Sequence, residues 1–180
     1  MQIDFTEGRL SLKLDPTGAL LRSFVDLINR VVAPFAHERA RLGVHTCPGG
    51  DQDSTHSADV DYAALLPTLF SLEVGKFFVQ LASEKDRPRV LKILGGLSQP
   101  DRRIFVGVID PLTSRIETTG EVRDRILEAA RFIEPGRLGT CDDCGFSPFG
   151  DDVSTSRDVA FAKIRARVEG NELASRELGV

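Results

Sequence analysis

His45 and Cys47 stand two residues apart in LGVHTCPGG, and Cys144 follows much later in LGTCDDCGFSPFG. An imidazole and two thiols form a borderline-soft donor set, which suits zinc. Alternate residues of an extended strand point the same way, so the H-x-C spacing can aim both side chains at one ion. A thiol attacks as its thiolate, and coordination to a cation removes the proton. The chemistry such a cluster would support is nucleophilic attack by sulfur.

The other candidates read more quietly. Cys141 lies three residues before Cys144, so CDDC superficially resembles a redox pair; a buried strand residue is the better account. Asp142 and Asp143 flank Cys144 and could steady the site from behind it or cap the loop. His56 falls in a polar stretch where solvent exposure is the default. Gly49 and Gly50 after Pro48 lack the flanking pattern of a phosphate-binding loop. Ser154 and Ser156 suit the start of a helix, and no nucleophile elbow surrounds them.

Five strand–helix units must position these residues. The first strand is MQIDF, followed by a helix from about Pro16 to Val32, with Asp15 as cap and Pro16 at its first position. Its stripe is Leu20, Leu21, Phe24, Leu27, Ile28 and Val31, and Pro34 ends it. The second strand is Leu42 to Thr46; after a long polar loop, Asp59 starts a helix through Ala63, Leu65, Leu66, Leu69 and Phe70. KFFVQLA, RIFVGVID and the Leu138 to Cys141 region are the remaining strands. Helices are expected near Arg89 to Leu94, near Glu121 to Ile133 and from about Ser154, the last with Val159, Phe161, Ile164 and Val168 on one face. Strands alternating with helices imply a parallel sheet, in which MQIDF would be an edge. Either the sheet is open and doubly wound, or the chain is the later part of a barrel.

Composition bounds the function. The 180 residues suffice for one domain, and 41% apolar with 28% charged residues is an ordinary globular balance. A net charge of −4 without a basic tract argues against a nucleic-acid partner. No apolar run suits a bilayer, the N-terminus lacks a signal-peptide pattern, and three cysteines do not make a disulfide framework, so a cytoplasmic setting without membrane contact is expected.

Four motifs, IDFTEG, HTCPGGDQDSTHSADVDY, QLASEKD and TCDDCGFSPFGDDVSTSRD, together resemble the catalytic barrel of the cobalamin-independent methionine synthase family. The resemblance covers the whole chain. It implies an α/β fold, with residues 1–180 as the zinc-binding C-terminal half of a TIM (β/α)8 barrel. The implied zinc ligands are His45, Cys47 and Cys144, with a fourth from Glu84; strand matching would place Gln80 there instead. Asp4 matches an aspartate that holds the amino group of homocysteine. The implied reaction moves a methyl group from 5-methyltetrahydrofolate, in its polyglutamate form, to homocysteine, giving methionine. Asp110, at the end of the fourth strand, is a candidate to protonate the leaving amine. Related barrels alkylate other thiols such as coenzyme M. A zinc-binding piece inactive until a second copy or a partner chain completes the barrel is the reading from another class.

Overall fold

The structure is a computed structural model that describes residues 1–47, 50–51, 54–55, 57, 59–147, 150 and 152–180. His56, Pro48 and Gly49 lie outside the described residues. The elements are β1 (Gln2–Asp4), α1 (Glu7–Leu14), α2 (Ala19–Val32), a 3-10 segment (Ala33–Arg41), β2 (Gly43–Thr46), β3 (Gly50–Asp51), β4 (Ser54–Thr55), α3 (Tyr62–Leu69), β5 (Lys76–Val79), α4 (Arg87–Leu97), β6 (Arg103–Ile109), α5 (Thr119–Ala130), β7 (Leu138–Asp142) and α6 (Arg157–Leu178). β3 and β4 form a small antiparallel pair inside the long polar loop, which the sequence did not announce.

Five strands pair in parallel in the order β1-β2-β5-β6-β7. The order follows the chain and never reverses. A doubly wound sheet must reverse at its switch point, whereas a β/α barrel adds each strand beside the last. The fold is therefore an arc of a β/α barrel, with β1 at one edge as expected and β7 at the other. Register places Asp4, His45, Phe78, Phe105 and Gly139 side by side across the arc. These residues share one face, as layers of side chains do inside a barrel. Phe78 and Phe105 stack within it at 4.5 Å. The alternate residues, among them Val44, Phe77, Val79, Ile104, Val106 and Val108, are fully buried on the helix side. Each such burial is worth roughly 1.5–3 kcal/mol.

Several helices depart from the sequence expectation. α1 precedes the first expected helix, and α2 begins at Ala19 rather than Pro16 because Gly18 adopts a left-handed φ of 73°. Asp15 still caps it, accepting from the Leu20 N–H at 2.8 Å. Only Leu21, Val25 and Val32 of α2 are buried; Leu27 and Val31 are exposed. α3 starts at Tyr62, because Asp61 accepts from the Ala63 N–H, while Asp59 pairs with Lys13 instead.

The largest correction concerns α6. It starts after Ser156, whose hydroxyl accepts from the Val159 N–H. Its buried residues are Lys163, Ala166, Gly170 and Ala174, whereas Phe161 is 56% exposed and Val168 49%. A β-carbon at Gly170 would lie 2.5 Å from the Cβ of Val122 on α5. Close approach of two helices needs small residues along the seam, so size rather than hydropathy selects this face.

Candidate functional site

β2 lies between β1 and β5, so both its edges are hydrogen-bonded and all four of its residues are buried. His45 is 8% exposed and Cys47, just past the strand end, 1%. Cys144 reaches the same place from the turn after β7. A register irregularity between Gly107 and Ile109 sets Asp142 opposite Ile109, and the Asp143 N–H bonds the Ile109 carbonyl at 2.9 Å. Such a bulge re-aims a strand end, here toward β2.

Asp143 holds that turn. Its carboxylate is 3% exposed and accepts from the N–H groups of Leu81, Ala82 and Ser83 and from the Ser83 hydroxyl, at 2.7–2.8 Å. Burial pushes its acid up to about 6, against the pull of those four bonds. The segment after β5 and the turn after β7 are thereby locked together across β6.

The ligand atoms of His45, Cys47 and Cys144 all lie within 4.8 Å of one another. The two sulfurs are 3.5 Å apart. Two thiolates on a tetrahedral zinc at ~2.3 Å per bond would sit ~3.8 Å apart, so the donors present fit that ion. Burial lowers the basicity of His45, but the neighbouring Cys47, then Asp4 and Asp143, raise it, and the net shift is upward.

A cleft of about 460 Å³ opens on this group, lined by Gln2, Asp4, His45, Phe78, Thr140, Cys141, Asp142, Cys144, Gly145 and Arg167. Asp4 thus shares a cavity with two of the three donors. Partial burial, with Cys47 and Glu7, pushes its acid up against the pull of His45 and Thr6. Cys141 is not in the three-residue group; its Sγ lies 3.5 Å from the Phe105 carbonyl, and burial pushes its thiol well up. Asp142 pairs with Arg167 at 3.0 Å.

Glu84 lies elsewhere, lining a second cleft of about 380 Å³ with Arg9, Asp61, Tyr62, Gln80 and Arg89. Gln80 accepts from Arg9 at 3.0 Å and donates to the Ser83 hydroxyl at 2.7 Å, so its amide is engaged on both sides. Asp110 stands at the end of β6, outside both clefts' linings, with one carboxylate oxygen accepting from the Leu112 N–H. Arg9 was missed by sequence reasoning. It is buried, lies over the Tyr62 ring at 4.5 Å and donates to the Val60 carbonyl.

No protein-family profile matches the chain. A methionine synthase of Saccharolobus islandicus is 28% identical over 154 residues, covering 86% of this chain and 40% of that protein. One from Thermococcus kodakarensis is 27% identical over 154 residues, with 86% and 39% covered. A B12-independent methionine synthase from a Shewanella species, solved in complex with selenomethionine, superposes with a TM-score of 0.72 at 22% identity, over 98% of this chain and 48% of that one. The likeness is to the cobalamin-independent methionine synthases. It carries the barrel fold, and this chain spans about 40% of the length of the first of these methionine synthases. Among the described residues no helix is long and apolar enough to cross a membrane.

Proposed function

We propose that the chain is the zinc-binding, C-terminal half of a methionine-synthase-like barrel that transfers a methyl group from 5-methyltetrahydrofolate to homocysteine. The observation that carries the reading is the convergence of His45, Cys47 and Cys144 within 4.8 Å at the carboxyl end of the sheet. In β/α barrels that end holds the active site.

His45, Cys47 and Cys144 would hold the ion. Bound there, zinc would lower the pKa of an incoming thiol while two thiolate ligands keep its Lewis acidity mild. Gln80 and Glu84 both line the Arg9 cleft, so three protein ligands suffice in this reading and the fourth position is left to the incoming sulfur. Asp4, on the wall of the same cleft, offers a carboxylate to the substrate ammonium. Asp110 supplies or relays a proton to the leaving amine. β1 and β7 each have one neighbour strand among the described residues, which supports completion of the barrel by a second copy or a partner chain.

Elemental analysis of purified protein tests the metal: about one zinc per chain is expected, and none in Cys144→Ala. Methyl transfer is then assayed with homocysteine and with coenzyme M as acceptor. Turnover with coenzyme M alone would move the activity to a different thiol alkyltransferase. Absence of zinc from the wild type would remove the reading altogether.

A further inference from the structure

The loop from Asp110 to Glu117 leaves β6 without regular structure, yet it is gripped by a fully buried ion pair. Lys163 of α6 and Glu117 have side chains with no solvent exposure and meet at 2.9 Å. The pair closes on the main chain of Asp110 from both sides. Glu117 Oε1 accepts from the Asp110 N–H at 2.9 Å, and Lys163 Nζ donates to the Asp110 carbonyl at 2.9 Å. A third donation from Lys163 goes to the Arg115 carbonyl, so all three ammonium hydrogens have acceptors. Arg125 adds a second cation 3.9 Å from Glu117 and donates to the Val108 carbonyl two residues before Asp110.

Burying two charges costs several kcal/mol each before attraction offsets it, and a packed apolar pair can serve stability equally well. What an apolar pair cannot do is fix the main chain of one residue at both its N–H and its C=O. Within the described contacts one carboxylate oxygen of Asp110 is committed to Leu112 and the other is not. The residue so held is the one at the end of its strand, where barrel enzymes carry their chemistry.

We propose that Glu117 and Lys163 are positioning residues that set Asp110 for proton transfer; this rests on the role given to Asp110 above. Proton transfer requires heavy atoms within hydrogen-bond reach, and a displacement of ~1 Å can cost ~100-fold in rate.

A double-mutant cycle tests it, using Lys163→Met, Asp110→Asn and the two together in the zinc-loaded protein. The expected result is a fall of roughly 10- to 100-fold in kcat for Lys163→Met, with KM for the thiol and zinc content unchanged. Lys163→Met should add nothing further in the Asp110→Asn background. Unchanged kcat, or effects that multiply in the double variant, would overturn the proposal. A wild type without turnover would count against the methyl-transfer reading itself. Amide exchange then decides the hold on Asp110: selective loss of protection at residues 110–117 in Lys163→Met upholds it, and unchanged exchange ends it. Glu117→Gln, which keeps an acceptor for the Asp110 N–H but removes the charge, replaces Lys163→Met in both arms if that variant does not fold.

Discussion

The carboxylate of Asp143 fills the space beside Gly107: a β-carbon at position 107 would fall 1.7 Å from Asp143 Oδ1 and 2.7 Å from the Leu81 nitrogen. The missing side chain in the middle of β6 is what lets a buried acid cross over that strand and bind three successive amides after β5. Cys144, the next residue after Asp143, is placed by the same contact.

Gly107→Ala should therefore destabilise the fold by roughly 1–3 kcal/mol, as overpacking does, and should weaken zinc binding with it. Urea unfolding of the metal-free protein and competition with a chelator measure the two effects. A variant of wild-type stability and wild-type affinity would show that the turn is held by something else.

The two cysteines of CDDC should separate cleanly. Cys144→Ala should lose the metal, and Cys141→Ala should keep it, since Cys141 lies outside the three-donor group. Zinc content after gel filtration distinguishes them. Equal loss in both would return the pair to consideration as a unit.

Gly170→Ala should destabilise against the trend of helix propensity. Alanine in place of glycine inside a helix usually gains up to ~1 kcal/mol. Here the new β-carbon would meet Val122 at 2.5 Å and the Thr119 carbonyl at 3.0 Å. A net loss of roughly 1–2 kcal/mol in chemical denaturation is expected; a rise in stability would mean that α5 and α6 part easily.

Acid should weaken the cap of α5. The Thr118 N–H, then Arg115, hold the Glu121 carboxyl down at about 2. A depressed folded value means that this contribution is complete above the unfolded value of 4.5 and is lost as pH falls through about 2. The group is 41% exposed, so screening leaves about 1 kcal/mol of it. The stability difference between wild type and Glu121→Gln should be flat above pH ~5 and shrink below it, as thermal unfolding at stepped pH would reveal.

The strands were legible because Val44, Phe77, Val79, Ile104, Val106 and Val108 leave an apolar trace that needs no tertiary knowledge. The H-x-C pair was legible for a similar local reason. That Cys144 joins it could be read only from resemblance, since nothing in the spacing measures a distance across the sheet. α1 left no trace: its buried residues are Gly8, Arg9 and Ser11, and no side chain caps its start. With it went Arg9, and hence the tie between Arg9 and Gln80. α6 was visible as a helix but turned to the wrong side, because Ala166, Gly170 and Ala174 bury little area and weigh little in any hydropathy pattern. Lys163 was hidden in that same seam; a lysine in register with small residues was the one available sign.

The sulfurs that meet at 3.5 Å come from positions separated by 97 residues. A chain growing from its amino end holds Cys47 for 97 residues before Cys144 follows, just past the end of β7. A cation that needed all three donors could be gripped only after that point, with the five parallel strands already made.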